Sequence, residues 1–268
     1  MLTRELRALL WFFASLAFGA GALLYLLSGN TDDTFSWTIK PPLTAALLGS
    51  AYWAAFVLFA WSARQEIWVR ARPLVLPVTV IAVLLLVATL IHLDKFHKHS
   101  LFGVFWIVAY IVVPPLLALA LWRQRHAPPA PEPPRVPLAP ALRAVLVVEG
   151  LVLAGVGVAL FVAPDAAGDS LWPWTLTPLT ARAIGAFLVG FGAAALQAVW
   201  ENDIDRLAGS AYAFATLGLL ELIALLRYQH ELDGSGARGV IYVAFVVLVL
   251  LTGIAGSALS RRAVPQGA

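Results

Sequence analysis

Eight long apolar runs constrain this chain more than any other feature of its sequence. Each run reaches about 20 residues, which is enough to cross a ~30 Å hydrocarbon core as a helix. Membrane strands are excluded because the runs are continuously apolar, whereas such strands alternate apolar and polar residues. The sequence therefore predicts an all-α integral membrane protein with eight transmembrane helices. The runs lie near residues 8–28, 43–63, 74–93, 101–122, 141–163, 179–199, 208–226 and 239–259.

The composition agrees with lipid as the main solvent, since 61% of the residues are hydrophobic and only 12% are charged. Cysteine is absent, which excludes disulfides, thiolate nucleophiles and iron–sulfur clusters. All five histidines fall at or beyond the ends of the runs, so haem held between helices is not expected. No nucleotide-binding or hydrolase motif occurs either. We therefore predict no cofactor and no catalytic residue, and an enzyme is the least favoured class.

Positive charges concentrate at alternate ends of the predicted helices. By the positive-inside rule, this distribution places both termini in the cytoplasm. The net charge of +3 thus reflects topology, and no nucleic-acid partner is expected. The frequent use of alanine, arginine and proline favours a bacterial plasma membrane. The cytoplasmic arginines are Arg4, Arg7, Arg64, Arg70, Arg72, Arg123, Arg125, Arg135, Arg143, Arg206, Arg261 and Arg262.

The chain also aligns with itself at an offset of 136 positions. The clearest match pairs the segment that starts at Pro42 with the segment that starts at Pro178. A repeat of this length predicts two similar four-helix units, residues 1–125 and 141–263. Because each unit has an even number of spans, the two should be parallel and related by a pseudo-two-fold axis along the membrane normal. The proline-rich residues 126–140 between them should form an extended, solvated cytoplasmic tether.

The matched segments begin the second helix of each unit, after outer loops that contain Trp37 and Trp174. Proline suits the first turn of a helix, and Thr177 is a natural N-cap. Two interpretations remain open. The helix starts, with Thr44 and Thr180, could face an outer vestibule and favour an anion or a polar headgroup. They could instead be capped starts beside tryptophans anchored at the interface.

Three ionisable residues fall within the predicted spans, where a charge is costly and a functional role is the default hypothesis. Arg182 and Glu221 lie at similar depths, and their counterparts at the repeat offset are the apolar Ala46 and Leu85. The sequence therefore predicts an ion pair, which either binds a polar substrate or joins two helices.

Glu149 should face the interior of the helix bundle, where desolvation would keep its carboxyl group largely protonated. It would then serve either as a proton-coupling acid or as a neutral hydrogen-bonding acid.

Two outer loops hold potential metal ligands, but their spacing fits no established site, so no metal is predicted. These residues are His92, Asp94, His97 and His99 in one loop and His230, Glu231 and Asp233 in the other. An acidic inner loop, with Glu201, Asp203 and Asp205, should be solvated unless it docks a partner.

The leading functional hypothesis is a translocator or carrier-like binder of a small molecule or ion, with its site between the two units along the second and sixth helices. The candidate substrate-binding residues are Arg182, Glu221, Glu149, Thr44, Thr180, Trp37 and Trp174. The alternative is a non-catalytic membrane subunit or scaffold that binds lipid and partner proteins. A polar cavity containing Arg182, Glu221 or Glu149 would favour the translocator, and a dry seam would favour the scaffold.

Overall fold

The computed structural model describes residues 1–232 and 236–263. This part of the chain is all-helical and holds eight helices long and apolar enough to cross a membrane, as expected for a multi-pass membrane protein. The eight helices are α1 (Arg4–Leu26), α2 (Pro42–Ala63), α3 (Val75–Ile91), α4 (Leu101–Gln124), α5 (Pro140–Val162), α6 (Pro178–Glu201), α7 (Ile204–Arg227) and α8 (Ala237–Ala263). A short helix, Trp68–Ala71, and a 3-10 turn, Arg72–Leu74, lead directly into α3.

The helices begin where the sequence predicts. Pro42 and Pro178 occupy the first positions of α2 and α6, where a missing backbone N–H leaves no bond unmade. Thr177 caps α6, because its hydroxyl accepts from the backbone N–H of Thr180 and the Thr180 side chain bonds back to the cap. This reciprocal arrangement fixes the start of α6 independently of its neighbours.

The packing follows two rows of four helices. In one row α1 packs on α2, α2 on α7 and α7 on α8, and in the other α5 packs on α6, α6 on α3 and α3 on α4. Sparser contacts join the rows, among them α1 with α4, α5 with α8 and α2 with α6. The first four helices and the last four are therefore interleaved, with α2 and α3 packed against α7 and α6.

Helices α5 and α6 approach each other closely at a pair of glycines. A Cβ atom at Gly157 would lie 2.8 Å from the backbone oxygen of Gly185, and one at Gly185 would lie 2.6 Å from that of Gly157. Small residues at such crossings allow backbones to touch. A Cβ atom at the neighbouring Gly155 would have no contact within 4 Å outside its own helix. Of these two glycines of α5, only Gly157 is therefore required by packing.

Both described ends of the chain lie at one face of the helix array, which we call the terminal face. Residues 128–139, which we call the extended segment after the sequence-based expectation, run along it without regular secondary structure. This segment is nevertheless attached, because Val136 accepts from the backbone N–H of Ile204 at 2.8 Å and Leu138 donates to Asn202 Oδ1 at 3.2 Å. Most residues of the segment are exposed, and these contacts with Asn202 and Ile204 hold its C-terminal part against the helix array.

Candidate functional site

A cavity of about 380 Å³ lies among α2, α5, α6, α7 and α8, and we call it the large cavity. Its wall on α8 runs from Arg238 to Val249, which corresponds to about 16 Å along the helix. Almost all of the lining is apolar, with residues such as Leu153 and Phe191 from α5 and α6. The cavity therefore reaches from the face opposite the termini to about the middle of the helices.

The polar end of the large cavity is built around Glu221, which is 1% exposed. The Tyr242 hydroxyl donates to Glu221 Oε1 at 2.8 Å, while Glu221 Oε2 has no hydrogen-bond partner. Among the described residues no lysine, arginine or histidine forms a salt bridge with this carboxyl group. Among the described residues, the cavity thus contains one buried carboxyl oxygen without a hydrogen-bond partner.

Aromatic packing fixes the orientation of Tyr242. The rings of Trp172 and Trp174 contact it edge-on, with centroids 5.3 and 5.2 Å away. Trp174 is itself held, because its Nε1 donates to Thr44 Oγ1 on α2 at 2.8 Å. The donor to Glu221 is therefore positioned by contacts that reach across to the first four helices.

The large cavity also reaches the outside of the helix array. Two of its lining residues, Val152 on α5 and Ile241 on α8, are 41% and 67% exposed. Contacts between these two helices are sparse. At the face of the helix array opposite the terminal face, Arg238 lines the large cavity, and its guanidinium donates to the backbone oxygen of Asp169. A molecule could thus enter sideways, between α5 and α8.

A second cavity, of about 130 Å³, lies among the first four helices, and we call it the small cavity. Its polar groups are bonded to one another, with the Tyr52 and Tyr110 hydroxyls 2.7 Å apart. Trp106, which also lines it, donates from Nε1 to Thr89 Oγ1 at 3.1 Å. The small cavity therefore offers a ligand no such unpaired buried carboxyl oxygen.

The predicted ion pair between Arg182 and Glu221 is wrong. Arg182 Nη1 donates instead to His92 Nε2 at 2.7 Å, and no salt bridge joins Arg182 to Glu221. The reason is the packing order, since α6 packs mainly on α5 and α3, whereas α7 packs mainly on α2 and α8. Burial and the positive charge of Arg182 lower the pKa of His92, which favours the neutral ring that can accept this bond.

Glu149 faces the interior, as predicted, and is fully buried. Thr252 Oγ1 on α8 donates to Glu149 Oε1 at 2.8 Å, and Oε2 has no partner. Glu149 does not line the large cavity. The two buried acids on α5 and α7 therefore belong to separate environments, one packed and one open to a cavity.

The helix starts of α2 and α6 are satisfied within the chain. The backbone N–H of Leu43 donates to Glu231 Oε2 at 2.7 Å, and that of Thr180 donates to Thr177. Thr44 and Thr180 are fully buried. The capped-start interpretation describes these helices better than an open vestibule. The tryptophan anchors it assumes are wrong, however, because Trp37 and Trp174 are buried.

Trp37 occupies an aromatic cluster above the small cavity. Its ring centroid lies 4.9 Å from Phe35, 5.3 Å from Phe96 and 4.9 Å from Trp106. Trp174, in contrast, packs on Tyr242 above the large cavity. Each of these two tryptophans therefore packs on an aromatic residue that lines a cavity, Trp37 on Trp106 and Trp174 on Tyr242.

The expectation that the acidic loop of Glu201, Asp203 and Asp205 is solvated is also wrong, because all three residues are buried. Arg70 binds Asp205 at 2.7 Å and Arg72 binds Glu201 at 2.6 Å, so arginines near the start of α3 neutralise the loop. The charge complementarity of these two segments was visible in the sequence.

Arg206 lies at the centre of this charge network and is only 2% exposed. It contacts Glu201 at 2.8 Å, Asp203 at 3.0 Å and Glu132 of the extended segment at 2.9 Å. The network therefore ties α6, α7 and the extended segment together at the terminal face.

Among residues 1–232 and 236–263, no group of three or more histidine, cysteine, aspartate or glutamate side chains could hold a metal ion. Asp233, a potential ligand in the sequence, lies outside the described residues.

No protein-family model, no curated protein and no solved structure matches the chain.

Proposed function

We propose that this protein binds an amphipathic, lipid-like molecule in the large cavity. The apolar part of the ligand would lie among α5, α6 and α8, and a hydroxyl or amino group at its polar end would donate to Glu221. The observation that carries the proposal is the unpartnered Glu221 Oε2 inside an otherwise apolar cavity. An unsatisfied buried acceptor costs about 1–3 kcal/mol, so a donor brought by a ligand would recover that free energy.

The apolar lining favours this ligand over an ion or a highly polar solute. Small-molecule sites typically enclose roughly 300–1,000 Å³ and combine apolar walls with a few placed polar groups. The large cavity, at about 380 Å³, fits that description. A hydrated ion would have to lose its water against apolar walls at high cost. Transport of an ion through this site is therefore disfavoured, while carrier-like binding is supported.

The exposed lining residues support entry from the membrane. Val152 and Ile241 lie on both sides of a weakly packed crossing, so a lipid-like molecule could reach the cavity without crossing water. An amphiphile already dissolved in the bilayer loses little solvation when it moves into an apolar cavity. The selectivity would then come from the hydrogen bond to Glu221 and from the shape of the walls.

We also propose that the two sets of four helices are parallel repeats related by a pseudo-two-fold axis. The helix pairs support this, because α1–α2 corresponds to α5–α6 and α2–α7 to α6–α3. The cavities support it as well. Residues such as Leu16, Trp106 and Tyr110 line the small cavity, and Val152, Tyr242 and Val246, at the offset of 136, line the large one.

We propose that the terminal face is cytoplasmic, in a bacterial plasma membrane. Arg70, Arg72 and Arg206 all lie at that face, which agrees with the positive-inside rule. Reporter fusions after residue 130 and within the 92–100 loop should report opposite sides of the membrane. Equal reporter activity at the two sites would overturn the orientation.

Photocrosslinking tests the binding proposal. The purified protein in a mild detergent would be labelled with a long-chain alcohol that carries a diazirine in its alkyl chain, and the labelled peptides would be mapped. We expect labels on α5, α6 and α8 that unlabelled 1-hexadecanol suppresses and hexadecane does not. Uniform labelling, or equal suppression by both competitors, would overturn the proposal.

A matched pair of variants identifies the polar anchor. Glu221→Leu introduces the residue found at the repeat counterpart, Leu85, and should weaken competition by 1-hexadecanol roughly tenfold through the lost hydrogen bond. Glu149→Gln changes the other buried acid, which does not line the cavity, and should leave competition unchanged.

A further inference from the structure

Phe187 lies between the two cavities. Among the described residues it is the only one that lines both, and its side chain is 3% exposed. Its ring contacts that of Tyr52, in the wall of the small cavity, edge-on with centroids 5.0 Å apart. The barrier between the cavities therefore includes an aromatic side chain rather than backbone alone.

The repeat offset shows how unequal this position is. The counterpart of Phe187 is Ala51 on α2, which lines the large cavity but not the small one. At the α2–α6 crossing, α6 therefore carries the aromatic ring of Phe187, whereas α2 carries only the methyl group of Ala51 at the corresponding position. This difference contributes to the unequal volumes of about 130 and 380 Å³.

We infer that Phe187 determines the length of the apolar chain that the protein accepts. This inference rests on the proposed binding of an amphiphile in the large cavity. With Phe187 in place, the chain is confined to the large cavity. A smaller side chain at this position opens a passage into the small cavity, whose walls are also apolar and whose hydroxyl groups are paired with each other.

The expected signature is a cut-off in chain length. Detergent micelles solvate methylene groups about as well as an apolar cavity does, so a longer chain gains little until it no longer fits. Beyond that length the chain must be forced into a filled site, and overpacking of this kind lowers affinity roughly tenfold. Position 187 should shift this cut-off without changing recognition of the hydroxyl end.

The experiment measures how well 1-decanol, 1-hexadecanol and 1-docosanol compete with the photoreactive alcohol, at matched mole fractions in the micelle. Phe187→Leu should move the cut-off to longer chains, and Ala51→Phe, which adds a ring to the large cavity, should move it to shorter ones. The double variant Phe187→Leu with Ala55→Phe should restore the original cut-off. Ala55 lines only the small cavity, and its repeat counterpart is already Phe191.

The outcomes separate this inference from the function on which it rests. If no alcohol competes in the unmodified protein, the binding proposal itself fails. If alcohols compete but the cut-off is the same in all variants, Phe187 does not set chain length and only this inference is overturned. The two single substitutions act in opposite directions, so a general loss of folding cannot produce the expected pattern.

Discussion

The small cavity and the large cavity are both lined by the fifth to the thirteenth residues of the last helix in their unit, α4 or α8, and the large cavity is also lined by Arg238. The polar groups of the two cavities nevertheless differ in their hydrogen bonding. In the small cavity, the Tyr52 and Tyr110 hydroxyls bond to each other and Trp106 bonds to Thr89. In the large cavity, Tyr242 satisfies one oxygen of Glu221 and leaves the other unpaired. A protein interior rarely tolerates such a group without a partner. Because the unpaired Glu221 oxygen, unlike that of Glu149, faces a cavity, this difference supports the proposal that the large cavity binds a ligand.

The largest effect on stability should come from placing an acid in the first four helices at the position that corresponds to Glu221. Leu85 is 2% exposed and corresponds to Glu221 at the repeat offset. In the Leu85→Glu variant the nearby donor, Trp106, already bonds to Thr89, so the new carboxyl group would lack a partner. We expect a loss of about 2–4 kcal/mol in the free energy of unfolding, measured by titration with a denaturing detergent. An unchanged midpoint would show that the first four helices can satisfy an acid and would remove the contrast.

The next effect concerns the tyrosine pair of the small cavity. Tyr52→Phe leaves the Tyr110 hydroxyl without its partner, and Tyr110→Phe does the converse. Each should lower the free energy of unfolding by about 1–2 kcal/mol. The double variant should cost less than the sum of the two single variants, because the hydroxyls act as one unit. Strict additivity in the same titration would mean that the pair is not coupled.

Removing the polar groups of the large cavity should cost much less than adding one beside the small cavity. The double variant Glu221→Leu with Tyr242→Phe deletes both partners of one hydrogen bond and also the unpaired oxygen. Replacing both partners by apolar groups is often neutral, so we expect a change within about 1 kcal/mol. The same variant should lose competition by 1-hexadecanol in the crosslinking assay. A destabilisation as large as that of Leu85→Glu would mean that Glu221 serves folding rather than binding.

The sequence predicts the local features of this structure better than the contacts between distant segments. The eight helices and the starts at Pro42 and Pro178 follow from apolar length and proline chemistry, which are local. The prediction of an Arg182–Glu221 ion pair was wrong because the sequence shows the depth of a residue along its helix but does not show which helix packs beside it. Consecutive helices need not pack together, and α6 packs on α3 rather than mainly on α7.

The sequence led to the hypothesis of a site along α2 and α6 that includes Glu221, but the volume and the apolar lining of the large cavity could not be predicted, for a related reason. Its volume depends on how side chains from five helices fill the space between them, and no pattern within one helix contains that information. The charge network of Arg206 could have been predicted from the sequence, since an acidic loop and a basic loop lie on the same predicted face of the membrane. Opposite charges on two loops of one face are a signal that sequence analysis can use.

The smallest expected effect sharpens the comparison at the ends of α3 and α7 that lie away from the terminal face. His92, just after α3, accepts from Arg182, whereas its repeat counterpart after α7 is Tyr228, whose hydroxyl bonds to Ser28. Burial and Arg182 lower the pKa of His92 in the folded protein, so the unfolded chain binds the proton more readily. The stability from this contact is therefore fully present above the ordinary histidine pKa of about 6.5 and is lost as the pH falls from that value through the lower pKa of His92 in the folded protein. Unfolding midpoints measured on both sides of this pH should show a small decrease on acidification, because His92 is partly exposed and solvent screens the charge.

His92→Gln should remove that decrease, since a glutamine oxygen can still accept from Arg182 but does not titrate. Tyr228→Phe should lower the midpoint equally at both pH values, and a pH-dependent loss in that variant would contradict the assignment of the titration to the α3–α6 side.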